Sequence, residues 1–133
     1  MTTKAVADWI EAAVIAALTV TVYKGFPAWG RPTVTPPCAA ILFAEHDPAA
    51  GASVGRSHAK SSTAFDVYIY AHDEIALWAQ VDALQAYWTA NATPSISSAR
   101  KKLRVSPIER LPADNTPEQA SYACRQQITI ENP

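Results

Sequence analysis

The stretch STAFDVYIYAH, Ser62 to His72, constrains the fold more than any other part of the chain. From Thr63 to Ala71 its residues alternate, so Phe65, Val67, Ile69 and Ala71 share one side and Asp66, Tyr68 and Tyr70 the other. A period-two run rich in β-branched and aromatic residues predicts a strand with one face on a core. It leads directly into Asp73 and Glu74, an N-cap and an acidic first turn for a helix. Ile75, Trp78, Val81, Leu84, Gln85 and Trp88 then make a helical stripe interrupted once, and Asn91 can end the helix in a left-handed conformation. A strand and a helix in tandem, each with one apolar side, must share a buried layer.

The other segments extend this plan. Thr2 or Thr3 caps a first helix running to about Leu18, with Val6, Trp9, Ile10, Ala13, Val14, Ala17 and Leu18 on one stripe. TVTVYKGFP reads as a short strand and CAAILFAEH, Cys38 to His46, as another. Four prolines between Gly25 and Pro37 predict an extended, ordered connection. KKLRVSPIERL reads as a strand interrupted at Pro107. ASYACRQQITIE is the last strand, with Tyr122, Cys124, Ile128 and Ile130 on one face. The expected fold class is α+β: a two-layer sandwich, a mainly antiparallel sheet of about five strands with two helices packed on one face. Trp9, Trp78 and Trp88 are expected in the core between them.

A chain of 133 residues fits one domain, 1–133. Eleven basic against twelve acidic residues argue against a nucleic-acid binder held by overall charge. Cys38 and Cys124 are far apart and lack CxxC spacing, which points to buried, reduced thiols rather than a disulfide framework or zinc site. Asp8 and Glu11 break the apolar N-terminal region where a secretory segment rarely tolerates charge. No run approaches the roughly 18 uncharged apolar residues of a membrane span, so a soluble protein working in a reducing cytoplasm is expected.

PAAGASVGRSHAKSS, Pro48 to Ser62, imitates a phosphate-binding loop. A Walker A loop needs G-x-x-x-x-G-K-[ST] opening a helix. Here three residues separate Gly51 and Gly55, Arg56 stands in place of the lysine, and the continuation from His58 is strand-like. No helix N-terminus is then available to hold an anion, and a long hairpin loop of small residues is the better reading. The pairs His46-Asp47 and His72-Asp73 hint at a metal-dependent hydrolase. If their strands form a hairpin, they sit roughly 20 Å or more apart, against metal–ligand bonds near 2 Å. No catalytic triad, nucleophile elbow or carboxylate pair has a supporting context, so no enzyme, cofactor or metal is expected.

Two surface features remain. ARKKLR places Arg100, Lys101, Lys102 and Arg104 within five residues, either as a solvated strand entrance or as a grip on phosphates or an acidic partner. Tyr68 and Tyr70 lie exposed, and suited to an interface, if helices cover only the other face; a second helical layer would bury them.

The element order resembles that of the tail terminator (tail completion) proteins of long-tailed bacteriophages. The likeness runs through the N-terminal helix, VYKGFP, PPCAAILFAEHD, a long small-residue loop, STAFDVYIYAHDEIALWAQVDALQAYW and two C-terminal strands, nearly the whole chain. It is a likeness of pattern without a catalytic signature. It implies a structural virion subunit that forms a homohexameric ring, caps the tail tube, ends its polymerisation and joins it to the head–tail connector protein. Its partners would be itself, the tail tube protein and that connector, with DNA passing through the lumen without specific binding and no membrane contact. Assembly in the host cytoplasm and residence in the virion tail or neck follow. The resemblance turns the loop from Ala49 to Ser62, with Gly51, Val54, Gly55, Arg56, His58 and Lys60, toward the tube or ring lumen. It gives Tyr68, Tyr70 and the basic run Arg100, Lys101, Lys102 and Arg104 a place at subunit or tube contacts. The alternatives are another neck or head–tail adaptor protein, a small cytoplasmic module that binds a peptide on an open sheet edge, and a small enzyme using the loop and its flanking histidines.

Overall fold

A computed structural model describes residues 2–25, 36–48, 61–111 and 122–132. Helix α1 spans Thr3–Leu18. Thr2 caps it, its hydroxyl accepting from the Ala5 N–H at 3.1 Å. Thr19 ends it in the left-handed region (φ 54°), where its N–H donates to the Ile15 carbonyl at 2.8 Å. Strands β1 (Thr21–Lys24), β2 (Cys38–Asp47) and β3 (Ser62–Ala71) follow. Helix α2, Glu74–Ala90, starts at Asp73, whose carboxylate accepts from the Ala76 N–H at 2.7 Å.

The last third of the described chain holds β4 (Ser95–Ile96), β5 (Ala99–Arg100), β6 (Lys102–Val105), β7 (Glu109–Arg110) and β8 (Tyr122–Glu131). The main sheet runs β1-β2-β3-β8-β6, with β7 also paired to β8. Only β1–β2 is parallel; the other pairings are antiparallel. This is the expected α+β plan, with both helices against one face of a sheet of six strands.

The period-two alternation decides the layers. Phe65, Val67, Ile69 and Ala71 of β3 join Cys124, Ile128 and Ile130 of β8 under Val6, Ile10 and Val14 of α1 and Leu84 and Trp88 of α2. Val67, Ile69, Ile128 and Ile130 are fully buried, about 1.5–3 kcal/mol each, so β3 and β8 anchor the layer. Trp9 lies on Trp88 with ring centroids 6.1 Å apart. Trp88 also donates from Nε1 to Gln126 Oε1 at 3.0 Å, and Gln126 Nε2 donates to the Ser106 carbonyl at 2.7 Å. This buried chain of hydrogen bonds ties α2 to the sheet where Pro107 interrupts the β6–β7 strand.

Two details differ from the sequence reading. The buried side of α2 is set by Leu77, Leu84 and Trp88, with Val81 partly buried, at i, i+4, i+7 and i+11. Ile75 lies about 160° around the helix from Leu77, and Trp78 about 100°, so both face solvent. Trp78, expected in the core, is 58% exposed and Ile75 73%. The turn after α2 also hides a hairpin, β4–β5, closed by Ser97 and Ser98 with φ of 54° and 62°. Its first arm extends back along β6: the Lys101 N–H donates to the Pro94 carbonyl and the Leu103 N–H to the Ala92 carbonyl. The outer edge of β6 is thereby covered.

Candidate functional site

The sheet face opposite the helices carries the residues that the sequence offers for contacts, and alternation sorts them. Tyr68 and Tyr70 project there with Cys38, Ala40, Leu42 and Ala123, and the group forms a second, smaller apolar cluster with Tyr23 and Leu111. Tyr68 is half-buried, but Tyr70 is only 4% exposed, which corrects the expectation that both lie open. Burial pushes the Tyr70 hydroxyl well above the ordinary tyrosine value, with Cys38 and Tyr68 adding to the shift. The Tyr70 side chain therefore packs within this chain.

The basic run is split by the same rule. Arg100, Lys102 and Arg104 are exposed, whereas Lys101 is 8% exposed and its Nζ donates to Asn132 Oδ1. Lys101 is thus corrected from a contact residue to a structural one. Arg104 Nε pairs with Glu131 Oε1 at 2.9 Å across the ladder. The sequence counted four cations; the surface keeps three, one of them paired. Next to them a groove of about 640 Å³ is lined by Asp66, Ser106, Pro107, Ile108, Glu109 and Arg125. Arg125 Nη2 donates to Glu109 Oε2 there at 2.8 Å. The groove is open, its lining is mixed polar and apolar, and its one hydroxyl, Ser106, donates to the Pro107 carbonyl and accepts from the Gln127 N–H.

Gly51, Val54, Gly55, Arg56, His58 and Lys60 lie outside the described residues. His46 and His72 are described and do not converge. His46 pairs in register with Thr63, donor or acceptor to its hydroxyl at 2.8 Å, while His72 follows the far end of β3, about 30 Å away at strand rise. Among the described residues no group of three or more His, Cys, Asp or Glu side chains is placed to hold a metal ion. Cys38 and Cys124 are buried on opposite faces of the sheet, and burial raises each thiol to about 11. Neither is poised as a nucleophile. No helix among the described residues is long and apolar enough to cross a membrane.

Two surfaces were not anticipated. The outer half of β2, from Leu42 on, extends beyond β1, which pairs only with Cys38–Ile41. A bulge interrupts the ladder between Phe43 and Glu45, and Phe43 is 57% exposed. At the opposite end, the start of α2 presents Ile75 and Trp78 beside Tyr122 and Arg110. Arg110 Nη1 grips both Glu74 oxygens at 2.5 and 2.6 Å, and Trp78 Nε1 donates to Glu74 Oε1 at 3.0 Å. The Arg110 guanidinium holds the Glu74 carboxyl below its usual range, with the Trp78 bond adding to the effect. The signal for this surface was present in sequence as the competing stripe Leu77, Val81, Leu84 and Trp88, which leaves Ile75 and Trp78 outside.

No family model matches the chain. No curated protein matches it either. Solved structures do. The chain matches a sheath/tube terminator of an extracellular contractile injection system, PVC, in the extended state, with a TM-score of 0.62 at 11% identity. That match covers 98% of this chain and 56% of the other, so this chain spans little more than half of its length. At this identity the likeness is one of fold. A chain from the virion of a native gene transfer agent particle matches with a TM-score of 0.48 at 16% identity, over 90% of this chain and 82% of that one.

Proposed function

We propose that this chain is a tail-terminating structural subunit of a phage-like particle. Copies of it form a ring, homohexameric in this reading, that caps the tail tube, ends its polymerisation and joins it to the head connector. The observation that carries the proposal is the match of fold along 98% of the chain to a protein named as a sheath/tube terminator. The surfaces support it: exposed Ile75 and Trp78 at the start of α2, exposed cations at β5–β6 and a half of β2 beyond β1 that no strand among the described residues covers are contact features. The loop around Gly51, Val54, Gly55, Arg56, His58 and Lys60 belongs, in this reading, at the tube or lumen. Tyr68 belongs at a subunit contact, and the protein works in the tail or neck of the particle. Function would then be geometry: two different surfaces that meet between neighbours and close a ring.

The test is the mass of the purified protein by light scattering over a concentration series, repeated with purified tail tubes. A ring-sized species, alone or on addition of tubes, is the expected result. A monomer indifferent to both overturns the proposal. It would favour the second reading, a module that adds a peptide strand to β2 beyond Ile41, where no strand among the described residues continues β1, and for which the exposed Phe43 supplies a specificity contact.

A further inference from the structure

The line Glu74–Trp78–Asp82 on α2 is ordered beyond what the fold requires. Trp78 is exposed, yet its indole is tied to Glu74, Glu74 to Arg110, and the Arg110 guanidinium stands 6.0 Å from the centroid of the Tyr122 ring. A solvent-facing tryptophan held in this way has already lost rotamer freedom, which lowers the ordering cost of any contact it makes. Trp, Tyr and Arg are also the residue types that dominate binding energy at interfaces. Asp82, four residues on and therefore next to Trp78 on the same side, is exposed and has no ion pair among the described residues. The helix carries no Lys or Arg from Glu74 to Ala90. The stripe thus combines a π face and a carboxylate about 6 Å apart along the axis, a match for two cations at the same spacing.

The chain itself carries such a pair. Arg100 and Lys102 are exposed, without ion pairs among the described residues, and two residues apart on extended chain, which sets them about 6.6 Å from each other. They cannot reach the stripe within one molecule. Lys102 is in the ladder row of Glu131 and Ser62, whereas Tyr122, beside the stripe, is in the row of Ala71, about 30 Å along β3.

We propose that a second copy of the chain docks its Arg100 and Lys102 onto the Trp78–Asp82 stripe. The Arg100 guanidinium covers the indole and Lys102 pairs with the Asp82 carboxylate. The contact joins two different surfaces at opposite ends of the sheet, so it repeats head to tail. It rests on the ring reading and gives that reading its interface.

The experiment compares self-association of the wild type, alone and on tail tubes, with Trp78→Ala, Asp82→Lys, Lys102→Asp and the double variant Asp82→Lys/Lys102→Asp. Each single substitution is expected to weaken association at least about tenfold, and the double variant to restore it by swapping the charges. Thermal unfolding confirms that these exposed changes leave the monomer folded, and Asp82→Asn replaces Asp82→Lys if the latter does not fold. If the wild type associates and the single variants associate equally well, or the double variant stays as weak as the singles, this contact is overturned and the ring reading stands. If the wild type never associates, both fall together.

Discussion

Replacing Gln126 by Leu tests the buried link between α2 and β8. Gln126 and Trp88 are each 2% exposed, and the amide bridges the Trp88 indole N–H to the Ser106 carbonyl. Leucine fits the space but leaves the indole N–H without an acceptor, at about 1–3 kcal/mol. Losing the bond to Ser106 costs about 1 kcal/mol, since that carbonyl is only part-buried and regains water. The added apolar contact returns about 1 kcal/mol. The expected net loss is about 2 kcal/mol, or a urea midpoint lowered by about 1 M with the slope unchanged. Trp88→Phe removes the donor, so in the Gln126→Leu background it should cost at least about 1 kcal/mol less than in the wild type. A Gln126→Leu variant within about 0.5 kcal/mol of wild type, or an additive double-mutant cycle, would refute the reasoning, because the two groups would not then depend on each other for satisfaction.

Lys101→Glu should destabilise the protein by at least about 2 kcal/mol in thermal unfolding, because it buries a carboxylate against the Asn132 carbonyl oxygen; Lys102→Glu should stay within about 0.5 kcal/mol. Thr19→Gly removes a β-branched residue from the left-handed region on an exposed position and should raise stability by about 1 kcal/mol, read as a higher melting temperature. Ser97→Asn with Ser98→Gly places favoured residues where φ is positive at both turn positions, and should likewise stabilise the β4–β5 hairpin. Glu74, held low by Arg110, contributes stability that is complete above its usual value of 4.5 and is lost as pH falls through its lower folded value. Glu74→Gln should therefore lower stability near neutrality, converge on the wild type at acid pH and so flatten the acid limb of a stability–pH curve.

What the sequence determined by itself is the set of local periodicities. Thr63–Ala71 could be only a strand with one face on the core, α1 only an amphipathic helix capped at Thr2 or Thr3, and Asp73 only a helix start, because each pattern is satisfied by one backbone period. The α+β plan followed from their order. The tertiary structure decided what periodicity leaves open. On α2 two stripes overlap through Val81, Leu84 and Trp88, and the sheet beneath chose Leu77 over Ile75 and Trp78 for burial. The Ser97-Ser98 turn carried no glycine or asparagine to announce a hairpin, yet pairing with β6 holds both serines at positive φ. Residues read together in sequence also met different fates: Lys101 was turned away from Arg100 and Lys102, and on one sheet face Tyr70 was covered while Tyr68 kept partial exposure. The candidate contact surfaces were the least legible part. They depend on which apolar and charged groups remain uncovered, and exposure is a property of the packed layers, not of the residues that compose them.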